Sequence, residues 1–239
     1  MGRSHPRLIV ALDFPTLREA VEVAEILAGT AAMFKVGLEL FNAEGPAALR
    51  GISDVGGPVF YDSKLHDIPN TVAGAAASIT SARVAMFNVH AMGGQEMMRA
   101  AVRGAAQRAQ ELGIQRPLVL GVTVLTSTSE EGLRETGVAR SMCDQVVALA
   151  RMARDAGLDG VIASPHEIGD VKEACGRDFL VVTPGVRPAW ASRDDQKRVM
   201  TPQQAAEAGA DYVVIGRPIT RAPDPAEAAM RMLQELAGA

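Results

Sequence analysis

Aromatic residues are scarce in this sequence, at 4% of 239 residues with a single Trp and two Tyr. The hydrophobic fraction is nonetheless 48%, so aliphatic side chains and the 11 Met must do most of the packing. Cysteine is nearly missing as well. Cys143 and Cys175 stand apart, with no CxxC pair and no His at metal spacing. This speaks against a disulfide framework or a zinc site and predicts two buried thiols in a reducing cytoplasm. The net charge is -4 and no long basic run occurs, which makes nucleic acid and acidic membrane surfaces poor partners. No apolar stretch is long enough for a membrane span or a signal peptide, so a cytoplasmic protein is expected. Nucleotide-binding glycine fingerprints are also lacking. The turn after the first apolar run reads Asp13-Phe14-Pro15, and neither GxGxxG nor GxxxxGKS appears.

What the sequence does contain is a repeated alternation of short apolar runs and helical stretches. Apolar runs at 8–13, 33–37, 59–64, 84–90, 118–125, 160–164, 179–183 and 212–215 read as strands. Helical patterns fall at 17–27, 71–82, 95–112, 141–156, 166–175, 202–208 and 225–236, with an irregular helical stretch at 43–52. Thr16 and Thr201 are candidate N-caps, and Pro202 suits a first helical turn. Residues 126–129 read as a polar loop and 184–200 as a longer one. Strands that are apolar throughout fit a parallel sheet covered on both faces. Eight even strand-then-helix cycles predict an α/β fold, a single (β/α)8 TIM barrel over residues 1–239, rather than an open doubly wound sheet.

Barrel active sites are built at the carboxyl ends of the strands. The polar residues expected there are Asp13 after the first strand, Lys35 on the second, and Asp62, Lys64 and Asp67 on or just after the third. Strand alternation points Asp62 and Lys64 the same way, and Pro69 ends the strand and opens a helix. Lys35, Asp62, Lys64 and Asp67 then alternate in sign, and pairs about 4 Å apart gain roughly 1 to 4 kcal/mol, enough to keep all four charged. Burying such a group is expensive, so it reads as chemistry. Carboxylates around Lys64 favour its ammonium, which suits it to deliver a proton rather than to form a Schiff base. A fixed ammonium beside a carboxylate fits a reaction that makes a carbanion and then protonates it. Taken alone, Asp13 could cap the first helix and Lys35 could be a solvated strand residue. His90 reads as a hydrogen-bonded core residue.

The loops after strands seven and eight often hold a phosphate in barrels. Here they read Pro184-Gly185-Val186-Arg187-Pro188, later Asp195-Gln196, and Gly216-Arg217-Pro218-Ile219. Arg217 after Gly216 offers a guanidinium fork to an anion, with Arg187 and Gln196 near it. Arg193 and Arg198 read equally well as surface residues paired with nearby acids.

The stretch Asp62-Ser63-Lys64-Leu65-His66-Asp67-Ile68-Pro69-Asn70-Thr71 closely resembles the DxKxxDIPNT signature of the orotidine 5'-phosphate decarboxylase family. Val10-Ala11-Leu12-Asp13, Phe34-Lys35-Val36-Gly37, Val122 to Ser127, Pro184 to Arg187 with Asp195-Gln196, and Gly216 to Ile219 resemble further blocks of that family, in its order. The resemblance implies decarboxylation of orotidine 5'-monophosphate to uridine 5'-monophosphate, in de novo pyrimidine biosynthesis, without metal or organic cofactor. It implies that Lys64 protonates C6 while Asp62 lies against the substrate carboxylate. Lys35 and Asp13 would contact the ribose hydroxyls, Thr126 and Ser127 the pyrimidine, and Gln196, Arg187, Gly216 and Arg217 the phosphate end. It further implies a homodimer in which Asp67 and Thr71 complete the partner's site. Related Mg-dependent sugar-phosphate barrels, of the 3-keto-L-gulonate 6-phosphate decarboxylase and hexulose-phosphate synthase type, share DxKxxD but resemble one another in a second-strand Glu metal ligand, where this chain has Lys35. A non-catalytic phosphate-ligand binding barrel is the alternative from outside enzymology.

Overall fold

Eight short parallel strands close on themselves in sequence order, each hydrogen-bonded to the next and β8 back to β1. The computed structural model describes residues 5–188, 190 and 200–238. The strands are β1 (Arg7–Ala11), β2 (Met33–Val36), β3 (Val59–Leu65), β4 (Met86–His90), β5 (Leu118–Val122), β6 (Gly160–Ile162), β7 (Leu180–Pro184) and β8 (Tyr212–Ile215). Around them lie α1 (Leu17–Ile26), α2 (Leu38–Glu44), α3 (Pro46–Asp54), α4 (Pro69–Ser81), α5 (Gly94–Leu112), α6 (Glu130–Glu135), α7 (Met142–Asp155), α8 (Ile168–Cys175), α9 (Pro202–Ala208), α10 (Arg217–Thr220) and α11 (Pro225–Ala237). The expected (β/α)8 barrel is the fold.

Strand alternation sorts the apolar residues into two compartments. Ile9, Met33, Phe60, Met86, Leu120, Val182 and Tyr212 point inward and fill the barrel. Leu8, Val10, Phe34, Val36, Val59, Tyr61, Phe87 and Val89 point outward and pack under the helices. The same alternation aims Ala11, Lys35, Asp62 and Asn88 into the barrel two residues further on, so a polar layer sits above an apolar floor. Arg7 stacks on the Tyr212 ring at 4.1 Å.

The local signals acted as expected at several helix starts. Thr16 Oγ1 accepts from Glu19 N, and Thr201 forms a capping box with Gln204 ahead of Pro202. Pro69 opens α4, as its missing N–H and fixed φ allow. Other expectations were displaced. The irregular stretch at 43–52 is two helices, because Gly45 at φ 62 breaks α2 from α3 and Pro46 starts the second. The polar loop at 126–129 is followed by a short helix that was not read from sequence, α6, capped by Ser129, whose Oγ accepts from Gly132 N. β5 ends at Val122 rather than Leu125. Cys175 is buried, but Cys143 is exposed and donates to Asp170 Oδ2 at 3.3 Å. The buried face of α7 runs through Met142, Val146, Leu149, Ala150 and Ala153, and Cys143 falls one residue off that stripe.

Candidate active site

The inner wall at the mouth of the barrel carries a chain of charges from three neighbouring strands. Lys35 Nζ donates to Asp13 Oδ1 at 3.0 Å and lies 3.5 Å from Asp62 Oδ2. Lys64 Nζ donates to the other Asp62 oxygen at 2.7 Å. The order is therefore Asp13, Lys35, Asp62, Lys64, alternating in sign over β1, β2 and β3. Each interior charge has an opposite neighbour on both sides, which offsets desolvation costs of several kcal/mol per buried ion.

Burial works against both interior charges, and their neighbours overcome it. Desolvation pushes the Asp62 carboxyl up, but Lys35, Lys64 and hydrogen bonds from Lys64 and Asn88 hold it below the ordinary carboxylate range. Desolvation pulls the Lys35 ammonium down, but Asp62 and Asp13 together hold it above the ordinary lysine value. Both groups are thus ionised at neutral pH. Space is also tight here. A Cβ added at Gly37 would come within 2.8 Å of Lys35 Nζ and 3.1 Å of Asp13 Oδ1, so the bare glycine leaves room for this ion pair.

Asp62 and Lys64 do meet, although simple alternation is not the reason. Tyr61 pairs with Phe87 and Leu65 with Val89, so β3 travels four residues while β4 travels two. Lys64 sits inside this bulge at φ 47, a left-handed conformation that β-bulges store near functional sites. Asn88 holds the bulge in place. Its Oδ1 accepts from Lys64 N at 2.6 Å, and its Nδ2 donates to Asp62 Oδ1 at 2.7 Å. Ser63 Oγ donates to Asn88 O at 2.8 Å, tying the bulge to β4 from its other face. Asn88 is fully buried and was not singled out from sequence. The signal was there: an amide in an apolar strand, on the inward parity shared with Met86.

Asp67 does not join this chain of charges as expected from sequence. It is exposed, and its Oδ1 accepts from Ile68 N at 2.7 Å. The strand has ended before it, so its carboxylate lies on the loop ahead of α4 while Asp13 takes the fourth place in the network. Thr71, in the first turn of α4, is exposed too. Neither residue lines the cavity described next. Asp13 does not cap α1, because Thr16 does.

The charged wall opens onto a cavity of about 300 Å³. Its floor is apolar, with Phe60, Val122, Ile162 and Val214, and Thr126 and Ser127 lie on one side. Arg187, Gly216 and Arg217 line it as well, from the loops after β7 and β8. The residues expected at an anion site are therefore in the same cavity as Lys64. Gln196, together with Arg193 and Arg198, lies outside the described residues. His90, at the end of β4, is half-buried with its ring 5.5 Å from that of His66. Burial, with His66 and Lys64 adding to it, pulls its imidazole below the ordinary histidine value.

The arrangement can hold an anion at one end and place an ammonium and a carboxylate against the other. Lys35 already bridges the Asp13 and Asp62 carboxylates, so the position between these two acids is filled by a cation of the protein itself.

Comparison with known proteins points the same way. Residues 6–232 match the family described as Orotidine 5'-phosphate decarboxylase / HUMPS. A protein named orotidine 5'-phosphate decarboxylase in Moorella thermoacetica is 52% identical over 239 residues, covering 99% of this chain and 95% of that protein. One of the same name in Heliobacterium modesticaldum is 52% identical over 232 residues, covering 97% of this chain and 96% of that protein. The crystal structure of orotidine 5'-phosphate decarboxylase from Lactobacillus acidophilus aligns with a TM-score of 0.83 at 38% identity, covering 98% of this chain and 99% of that one.

Proposed function

From the premise that the chain belongs to the orotidine 5'-phosphate decarboxylase / HUMPS family, we propose how its own residues carry the reaction. The activity is the loss of CO2 from orotidine 5'-monophosphate to give uridine 5'-monophosphate, a carbon–carbon lyase reaction. The observation that carries the proposal is the Asp13, Lys35, Asp62, Lys64 chain, its two interior members buried, opening onto a cavity that Arg187 and Arg217 also line.

Departure of CO2 leaves an electron pair in the plane of the pyrimidine ring, where the ring π-system delocalises it poorly. The Lys64 ammonium lies at the mouth of the barrel, fixed by Asp62 at 2.7 Å and by the bulge held through Asn88. A cation held there stabilises the developing carbanion more than it stabilises the substrate, and so lowers the barrier. It then hands its proton to C6. Asp62, kept ionised by two lysines, stands against the substrate carboxylate. That contact is repulsive in the ground state and is relieved as CO2 leaves, its cost met by binding energy from the phosphate end. Lys35 and Asp13 contact the ribose hydroxyls, Thr126 and Ser127 the pyrimidine, and Arg187, Gly216, Arg217 and Gln196 the phosphate.

No metal is needed in this scheme, and Lys35 between the two acids supports that reading. The assembly proposed is a homodimer in the cytoplasm. Leu38, Ile68, Met92 and Leu125 are exposed apolar side chains that follow four successive strands, β2 to β5. Asp67 and Thr71 are exposed on that same sector of the rim, so a second copy seated there would cover the apolar residues and take Asp67 and Thr71 into its own site. The deciding experiment is turnover of orotidine 5'-monophosphate in excess EDTA, followed as loss of substrate absorbance. Undiminished turnover is expected. Activity that vanishes with EDTA and returns with Mg2+ would reject the scheme.

A further inference from the structure

The loop after β7 starts from a pinned base. Arg187 N donates to Met200 O at 2.9 Å, and Val186 bridges to Met200 across the loop. Three residues after Arg187, Trp190 turns away from the cavity and docks on the C-terminal helix. Its Nε1–H donates to Glu235 Oε1 at 2.7 Å, and the Arg231 guanidinium lies 4.9 Å from the ring centroid. Arg231 and Glu235 are four apart on α11 and so share one face of it. The ring is half-buried against the outer core. Helix α11 also packs against α10, whose first residue is Arg217.

One helix therefore backs both arginines that line the cavity, directly through α10 and indirectly through Trp190. We propose that Trp190 is a positioning residue. By tying the chain just after Arg187 to α11 it sets Arg187 in register with Arg217, so that the two guanidiniums converge on the phosphate of the substrate. The proposal rests on the phosphate reading given above. A half-buried indole N–H needs an acceptor, and here that acceptor is a carboxylate, which makes the bond charge-assisted. The Arg231 contact adds a cation over the ring face. An Arg187 backbone held before ligand arrives has less freedom to lose on binding, so the effect belongs in affinity. Chemistry at Lys64, on a different strand, should not feel it.

The test compares Glu235→Ala and Trp190→Phe with wild type, using orotidine 5'-monophosphate and orotidine, which lacks the phosphate. Alanine is well tolerated in α11, and Phe keeps the packed ring while removing the N–H. Losing one charge-assisted bond should raise KM for the nucleotide roughly tenfold in both variants and leave kcat within about twofold. For orotidine, kcat/KM should stay at the wild-type value. Trp190 is the only Trp in the chain, so its emission should shift to the red in Glu235→Ala as the ring meets water. An unchanged KM for the nucleotide would overturn the proposal, and so would equal losses for both substrates. Arg217→Ala separates this from the reading beneath it. If that variant binds the nucleotide as wild type does, the phosphate reading fails and the proposal with it. If it weakens binding while Glu235→Ala does not, only the role of Trp190 is lost.

Discussion

Replacing Asn88 by Ala should cripple the enzyme although Asn88 itself contacts none of the reacting atoms. The side chain makes two short bonds, to Lys64 N at 2.6 Å and to Asp62 Oδ1 at 2.7 Å, and it is fully buried. The first loss strands a backbone N–H inside a bulge, at about 1 to 3 kcal/mol. The second removes a donor to a buried carboxylate, at about 1.5 to 3 kcal/mol. A combined loss of about 2.5 to 6 kcal/mol should lower Tm by roughly 5 to 24 °C for a chain of this size, measured by calorimetry. The kinetic effect should be larger than the thermal one suggests. Lys64 holds φ 47 only while its surroundings enforce it, and Asn88 Oδ1 supplies that restraint at Lys64 N. Released, the ammonium moves, and a displacement of about 1 Å costs roughly 100-fold in kcat. Affinity for the product, uridine 5'-monophosphate, should change little, because the phosphate end is untouched. A variant with kcat within about threefold of wild type would refute the claim that Asn88 enforces the bulge. So would a kcat loss matched by an equal loss of nucleotide affinity.

Two further outcomes are expected. If the proposed homodimer holds, Lys64→Ala and Asp67→Ala, each inactive alone, should recover roughly a quarter of wild-type activity when mixed and refolded, because half the random dimers would carry one intact site; no recovery would remove Asp67 from the partner's site. Stability should also depend on pH through groups with known direction. The folded Asp62 value is lowered, so its contribution is present above about 3.9 and lost as pH falls through the folded value. The folded Lys35 value is raised, so its contribution is present below about 10.4 and lost as pH rises through the folded value. His90 is lowered, so stability should begin to fall below about pH 6.5 in wild type and not in His90→Asn, as read from Tm against pH.

The barrel was legible because its signals are local and repeated. Apolar strands of even spacing, a capping Thr at 16 and at 201, and Pro at 69 and 202 each act within a few residues of where they stand. The pairing of Asp62 with Lys64 was also legible, although through the wrong geometry. Alternation carries a strand residue only as far as its ladder is regular, and the bulge between Tyr61 and Leu65 depends on an amide from β4. Spacing within β3 holds no trace of that partner. Asn88 was overlooked for the same reason, as a lone amide inside an apolar run. Asp67 was placed in the network because it is close in sequence, whereas the network is assembled across strands and takes Asp13 instead. Cys143 missed burial by one position on a helix whose stripe was otherwise readable.

The Lys64 ammonium, held by Asp62 and not by a metal, is proposed to quench the carbanion at C6. That role is tested most directly by Lys64→Ala, assayed side by side for binding of uridine 5'-monophosphate by calorimetry and for turnover of orotidine 5'-monophosphate. Binding should persist while turnover falls by at least about 10⁴-fold, as expected when a proton donor and its charge are removed together. Turnover near the wild-type rate in that variant would contradict the account.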